Sequence, residues 1–534
     1  MKGRGTGRFL AGSADATNAD DETGRVPPPA AQLGGRLLLG AASLALVAVS
    51  VPVVLRGAPL ADDFNNCLAP QDKGLLGFMS ESFDRLGLIR PARFVEIVVT
   101  TGVCQNMPFG IAIAVCLAVT FVVALLLRRL LTMLGSPAPW PDVAAALWLL
   151  QPLGLEAALW PAALHVPIGL AAALGSLIAH RSRRLWMGLL LGLAAMLSLE
   201  QAILALPLAA WLVAPSDLRR RVVIAMTALS AAVVVAYLLV PGNDPRLSAD
   251  ASSRVRGLFT NLDFIVGFPA AGIGAESIPL AVRWAFPVSV VVLAAAAAAG
   301  WLWGARAWPA SLPTVRSSNI RTLIAITLLI VLVNVPVLLN QPRQGSPRVF
   351  TPTWLVLAAV AGLWLVGVRW SGVRIAGTVV GLYLGGAVLS LALSAWVRVE
   401  TADVVEHVSR EIAERTSDGD VVTLCEVPRA AVASAPRGAF AVQDYLYDWA
   451  AADALRYYTG RQATFRIHQA DGNEGCPEGD SALAVAFDAL RQRDGGPIPA
   501  GSFITRRNCP ATFASLVRDT RVGREPGAHC TRLG

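Results

Sequence analysis

The sequence predicts a polytopic α-helical membrane protein of about eleven transmembrane helices, N terminus inside and C terminus outside, with a small extracytoplasmic α+β domain at its end. Three observations predict it. Of 534 residues, 54% are hydrophobic and only 15% charged, against roughly 25% charged in soluble proteins. Apolar runs of near-spanning length recur between residues 37 and 397. Arginine clusters fall on alternate connections between those runs, as the positive-inside rule requires. A mean hydropathy of +0.55 excludes a disordered chain or a single water-soluble domain.

Residues 1–36 are rich in Gly, Ala and Asp and read as a disordered cytoplasmic leader. The first apolar run begins only after Arg36, too late for a usual signal peptide. Spans are expected near 37–55, 108–127, 141–155, 163–180, 185–199, 201–215, 222–240, 282–303, 322–340, 351–368 and 375–397. Several fall short of the roughly 20 residues a straight crossing needs. The stretch Leu185 to Ala214 reads as two short helices meeting at Glu200 rather than one long one.

The charge map orients these spans. Arg128–Arg129, Arg181–Arg183–Arg184, Arg219–Arg220–Arg221, Arg306–Arg316–Arg321 and Arg369–Arg374 all fall on one side if the N terminus is inside. The loops at 56–107, 241–281 and 341–350 then lie outside, with everything after Trp396. The net charge of +8 is read the same way: the arginines come in twos and threes between apolar spans, not as one nucleic-acid-binding patch.

Seven cysteines are present and none forms C-x-x-C, which argues against a zinc ribbon. Cys116 sits inside an apolar run and reads as packing. Cys67, Cys104, Cys425, Cys476, Cys509 and Cys530 all fall on the outer side and read as disulfide candidates of an oxidising compartment. The four in the tail allow three pairings.

The tail, 398–534, changes character. Val404 to Glu414 reads as an amphipathic helix, Asp420 to Cys425 as a buried strand after a Ser-Asp-Gly turn, and Ala450 to Tyr458 as a helix closed by Gly460.

Four polar places interrupt the apolar text. Asp62-Asp63 follows the first span, in a loop that ends with Arg90-Pro91. The pair suits a general base or a cation-holding carboxylate pair, or equally a solvated loop start or helix cap. The same loop's Lys73 to Leu88 has helical apolar spacing that suits lying flat on a membrane. Gln151-Pro152, Glu156 and Trp160 mark the outer end of the third span, with His165 just after; a structural hydrogen-bonding role for His165 stands beside a site role. Glu200 lies between two short runs, as loop or as site residue. Arg343 and Arg348, outside against the positive-inside trend, suit a phosphate or a lipid headgroup. No Walker, G-x-S-x-G or H-E-x-x-H motif occurs.

In this order the segments resemble the GT-C class of integral-membrane glycosyltransferases, in the branch of the protein O-mannosyltransferases. The acidic pair after the first span is matched by Asp62-Asp63, and the later Arg-Pro by Arg90-Pro91. The "His-Pro…Glu…Trp" segment is matched by Gln151-Pro152, Glu156 and Trp160, with Gln in place of His. The "Lys-Glu…Pro" segment is matched by Leu199-Glu200 and Pro207, with the Lys absent. Arg348 fits the late outer arginine.

The resemblance covers about 37–215 and the Arg348 region. It implies a polyprenyl-phosphate-linked sugar donor and an inverting transfer to an extracytoplasmic glycan, lipid or protein of the cell envelope, at the plasma membrane. Asp62 would be the base with Asp63 helping; Arg348, Arg90 and Arg343 would hold the donor phosphate; Glu156, Glu200 and His165 would orient sugar or acceptor. A phosphate-monoester donor requires no cofactor; a diphosphate donor would call for a divalent cation at Asp62/Asp63. The competing classes are a lipid-linked glycan transporter or flippase, a polysaccharide polymerase or ligase, and a scaffold. No internal repeat favours a transporter, and a scaffold leaves the acidic pair without a role.

Overall fold

Helices dominate because long apolar runs with few turn residues satisfy their own backbone polar groups only as helices. The computed structural model describes residues 29–59, 62–86, 91–150, 158–239, 319–339, 351–364, 421–426, 448–469 and 484–486, with selected positions between 384 and 419. The helices are α1 (Pro29–Arg56), α2 (Asp62–Leu86), α3 (Pro91–Asn106), α4 (Gly110–Met133), α5 (Trp140–Leu149), a 3-10 turn (Pro161–Ala163), α6 (His165–Arg181), α7 (Leu185–Ser198), α8 (Glu200–Val213), α9 (Arg219–Leu239), α10 (Asn319–Leu339) and α11 (Thr351–Trp364).

Three helical segments among the described residues are long and apolar enough to cross a membrane: Gln32–Arg56, Gly110–Met133 and Pro161–Arg181. Leu185–Ser198, Glu200–Val213 and Thr351–Leu363 are apolar but shorter. Large side chains such as Leu44, Leu125, Leu190 and Ile224 point outward and are exposed. Such faces are costly in water and suited to hydrocarbon.

Several boundaries differ from the sequence reading. α1 begins at Pro29, so residues 29–36, expected within the leader, are helical. α5 ends at Leu149, short of the 155 expected. Leu185 to Ala214 is two helices: Leu199 is extended (φ −133, ψ 115) between α7 and α8, and Glu200 opens the second. The expected span 282–303 and the loops 241–281 and 341–350 lie outside the described residues.

Close approach of small residues holds the bundle together. A Cβ on Gly110 of α4 would run into the Val54 carbonyl of α1. Gly188 of α7 lies flat against the His180 ring of α6, and Ser176 Oγ donates to the Gly188 carbonyl at 2.7 Å. At the arginine-rich end, Arg128 Nε donates to Asp142 at 2.5 Å. Asp142 sits in the first turn of α5, where a negative charge also meets the helix dipole.

At the other end, α2 and α3 pair as a hairpin beside the bundle. The Cys67–Cys104 disulfide ties them, across a sequence separation of 37. α2 changes direction at Gly74, whose φ of 70 favours glycine. Cys116 is free and buried. Cys425 lies in a strand, and Cys476, Cys509 and Cys530 lie outside the described residues.

Beyond the bundle, buried residues recur at 384, 387, 391, 395, 398, 402, 405, 409 and 413. Steps of three and four are one helical face. Helical residues therefore stand on both sides of the boundary expected at 397, in one register. They lead to β1 (Val421–Glu426), α12 (Asp448–Thr459), β2 (Thr464–Gln469) and β3 (Ala484–Ala486). Gly419 (φ 89) turns the chain into β1 and Gly460 (φ 73) ends α12. The strands pair parallel in the order β2-β1-β3, and α12 lies in the β1-to-β2 connection. This is a βαβ arrangement, where an α+β unit was expected.

The disulfide gives a direct test. Closing a loop of 37 residues removes denatured-chain entropy worth about 4 kcal/mol. Replacing Cys67 and Cys104 together by Ser is expected to lower the melting temperature and open α2–α3 to protease before the bundle, as read by limited proteolysis.

Candidate functional site

Adjacent helical residues point about 100° apart, so Asp62 and Asp63 cannot share one surroundings. Asp62 is partly exposed at the start of α2, whereas Asp63 is fully buried, on the same face as Asn66 and Cys67. Both lie in the first turn of α2, where the helix dipole favours carboxylates.

A carboxylate buried this completely needs partners. The chain supplies them at a break. Trp160 is extended, Pro161 starts the 3-10 turn, and α6 begins only at His165. The first N–H groups of a helix have no partner within it. The Ala162 N–H donates to Asp63 Oδ1 at 2.9 Å. Arg398, 2% exposed, brings Nη2 to 4.0 Å from Asp63 Oδ2.

The same break serves a second buried acid. Glu96 of α3 is 0% exposed. His165 Nδ1 lies 2.7 Å from Glu96 Oε2, and the His165 backbone N–H donates to the same oxygen at 3.5 Å. Cys116 of α4 is within electrostatic reach of Asp63, Glu96 and Arg398 together. Asn66, wholly buried one turn after Asp62, finds no hydrogen-bond partner for its side-chain amide among the described residues.

The C-terminal unit covers one flank of this cluster. The Phe64 ring meets Tyr457 at 5.6 Å and Tyr458 at 5.8 Å between centroids, both edge-on. Arg456 donates from both terminal nitrogens to Asp72, each at 2.5 Å. That forked pair holds Asp72 below the usual carboxylate range. Burial raises the Tyr457 phenol, and the charges of Asp63 and Glu406 raise it further. Burial alone would raise Glu406; hydrogen bonds from Arg56 and Arg410 outweigh it and hold the carboxyl low.

The bundle also holds an apolar groove. A cavity of about 180 Å3 lies between α4, α6, α8, α10 and α11. Leu199 and Gln201 mark one end; Leu134, Val213 and Leu363 mark the other. From Gln201 to Val213 along α8 the groove runs about 18 Å, at 1.5 Å per residue. At its Gln201 end Leu199 packs against Gly169, one turn beyond His165 in α6, while Asp63, Glu96 and His165 themselves do not line the cavity.

Of the residues the sequence singled out, the structure brings Asp62, Asp63 and His165 into one region. Glu200 stands at the groove's polar end, beside Gln201. Trp160 is buried at the break. Arg90, Glu156, Arg343 and Arg348 lie outside the described residues; Arg348 precedes by four positions Pro352, which lines the groove. Among the described residues no three His, Cys, Asp or Glu side chains converge to hold a metal ion.

Sequence reasoning missed Glu96, Arg398, Asn66 and the Tyr457–Tyr458 pair. Glu96 carried a signal, as a lone acid in Phe94-Val-Glu-Ile-Val-Val. So did Arg398, a charge just past an apolar span. Comparison of the chain with family models, with curated proteins and with solved structures finds no match.

Burial pushes the Asp453 carboxyl of α12 from 3.8 to about 6, with Arg456 opposing and Asp72 adding to the rise. An acid raised in the folded state stabilises docking fully below its unfolded value, and this is lost as pH rises through the folded one. Asp72, held low, acts in the opposite sense and fails only in acid. α12 is therefore expected to be best protected from hydrogen exchange near pH 5 and less so at pH 7.5. Asp453→Asn should remove that difference.

Proposed function

We propose that this chain is a membrane glycosyltransferase that moves a sugar from a polyprenyl-phosphate donor to a hydroxyl acceptor on the outer face. The single observation that carries the reading is a buried polar cluster, Asp63 with Arg398 and Glu96 with His165, on the same helix α6 that lines a long apolar groove. A lipid-linked sugar needs hydrocarbon surroundings for its tail and ionised groups for its head, side by side. The groove offers the first; Asp62, Asp63, Glu96, His165 and Arg398 offer the second.

In this reading the chain crosses the plasma membrane about eleven times. The α2–α3 hairpin and the C-terminal unit face outward, which agrees with the Cys67–Cys104 disulfide. The expected leaving-group arginines are Arg348, Arg343 and Arg90, with Arg398 added because it is buried beside Asp63. A lipid phosphate leaves with its negative charge and is helped by fixed cations more than by a proton.

The acceptor hydroxyl is a weak nucleophile and must lose its proton as the bond forms. Asp62 is assigned as the base, because it is the partly exposed member of the pair. Asp63, buried and bonded to Ala162, holds the start of α2 in place. Glu96 fixes His165 at the edge of the same region, and Glu200 stands where the tail meets the head. A metal-free route suffices for a phosphate-monoester donor, and no step is routed through a cation.

Two measurements test the assignment on purified protein given radiolabelled polyprenyl-phosphate sugars. Asp62→Asn is expected to lower kcat by about 10²- to 10⁴-fold, the usual worth of a positioned base, at unchanged donor KM. Full activity in Asp62→Asn would remove the base. For the groove, Ala205→Trp places an indole along its floor. It is expected to raise donor KM about tenfold with little change in kcat, the mark of lost uniform binding. Unchanged donor KM would move the tail elsewhere.

A further inference from the structure

We infer that α12 of the C-terminal unit forms the acceptor side of the site, with Tyr457 and Tyr458 as specificity-determining residues for a saccharide acceptor. The inference rests on the transferase reading and adds to it the class of acceptor and its direction of entry.

The argument is geometric. The cluster has two distinct flanks. Asp63 faces the α6 break through its bond to Ala162, and Leu199, at the groove's polar end, packs on Gly169 of the same helix. A donor tail in the groove therefore reaches the cluster from the α6 and α8 flank. Phe64, the very next residue, points about 100° round the helix and is met by Tyr457 and Tyr458 of α12. Direct displacement with inversion places the attacking hydroxyl opposite the leaving phosphate. With the phosphate on the groove flank, the hydroxyl arrives from the α12 flank.

The chemistry of that flank is specific. Phe64, Tyr457 and Tyr458 form a mutually edge-on trio, with 5.1 Å between the two tyrosine centroids. The two tyrosines are half-buried, with the Tyr458 hydroxyl enclosed. Aromatic faces pack on the apolar C–H faces of pyranose rings. α12 is held there by the forked Arg456–Asp72 pair, the tie that fixes this aromatic wall against α2.

In the step so assigned, the acceptor oxygen bonds to the anomeric carbon as the bond from that carbon to the phosphate oxygen breaks. The acceptor proton passes to Asp62, and the lipid phosphate leaves with the electron pair.

The experiment uses the full chain in bilayer discs, a synthetic polyprenyl-phosphate hexose as donor and an alkyl hexoside as acceptor. Donor hydrolysis by water and transfer to the hexoside are measured separately. Tyr457→Ala and Tyr458→Ala are expected to raise acceptor KM at least about tenfold, the size of a lost aromatic contact, while donor KM and hydrolysis stay within twofold. Tyr457→Phe keeps the ring and should recover most of the loss. Arg456→Gln, which frees α12 without touching a ring, should also raise acceptor KM. Acceptor KM unchanged in both alanine variants, or donor KM rising in step with it, overturns the acceptor assignment alone. A wild-type protein that consumes no donor by either route overturns the transferase reading, and the acceptor assignment with it.

Discussion

Two carboxylates buried at one end of an apolar bundle constrain everything around them. Asp63 and Glu96 are each fully enclosed, and an enclosed acid without donors costs several kcal/mol. The donors come from a backbone break: one buried acid binds the Ala162 N–H, the other the His165 imidazole and backbone. The break exists because Pro161 starts a separate short turn, so α6 cannot extend back through Trp160. Were this segment one continuous helix, its N–H groups would be spent internally. The α2–α3 hairpin would then have no polar seat on the bundle.

The hairpin in turn gives the C-terminal unit its docking surface. α12 packs on α2 through Phe64 and Asp72, four residues on either side of Leu68. Arg56 at the end of α1 reaches Glu406 of the connecting helical stretch. Three segments far apart in sequence thus meet within about ten residues of the acidic pair. The aromatic contacts are apolar and the ties at their rim are ionic. Asp453 of the same helix is partly buried, and that burial holds its carboxyl above the ordinary range, at about 6.

The helical bundle was largely legible because its signals are periodic and local. Apolar run length and arginine spacing located α4, α6, α7, α8 and α9 closely, and the extended Leu199 is where the Ser-Leu-Glu interruption suggested. Gly419 and Gly460 announced their turns for the same reason. The start of α1 at Pro29 was not legible, since the Gly- and Gln-containing text before Arg36 lacks a hydrophobic signature. Asp62-Asp63 stood out as a doublet, yet which of the two is enclosed depends on helix phase and a partner a hundred residues away. Glu96, Arg398 and Tyr457 were harder still. Each is a single polar or aromatic residue, and its meaning comes from neighbours on other helices.

The interruption at Leu199 leaves two helices shorter than a bilayer is thick. α7 and α8 hold 14 residues each, so each is about 21 Å long, against about 30 Å of bilayer hydrocarbon. A bilayer meeting this short pair must dip to match it. Hydrocarbon around such a pair would be thinner than around the longer α1 and α4.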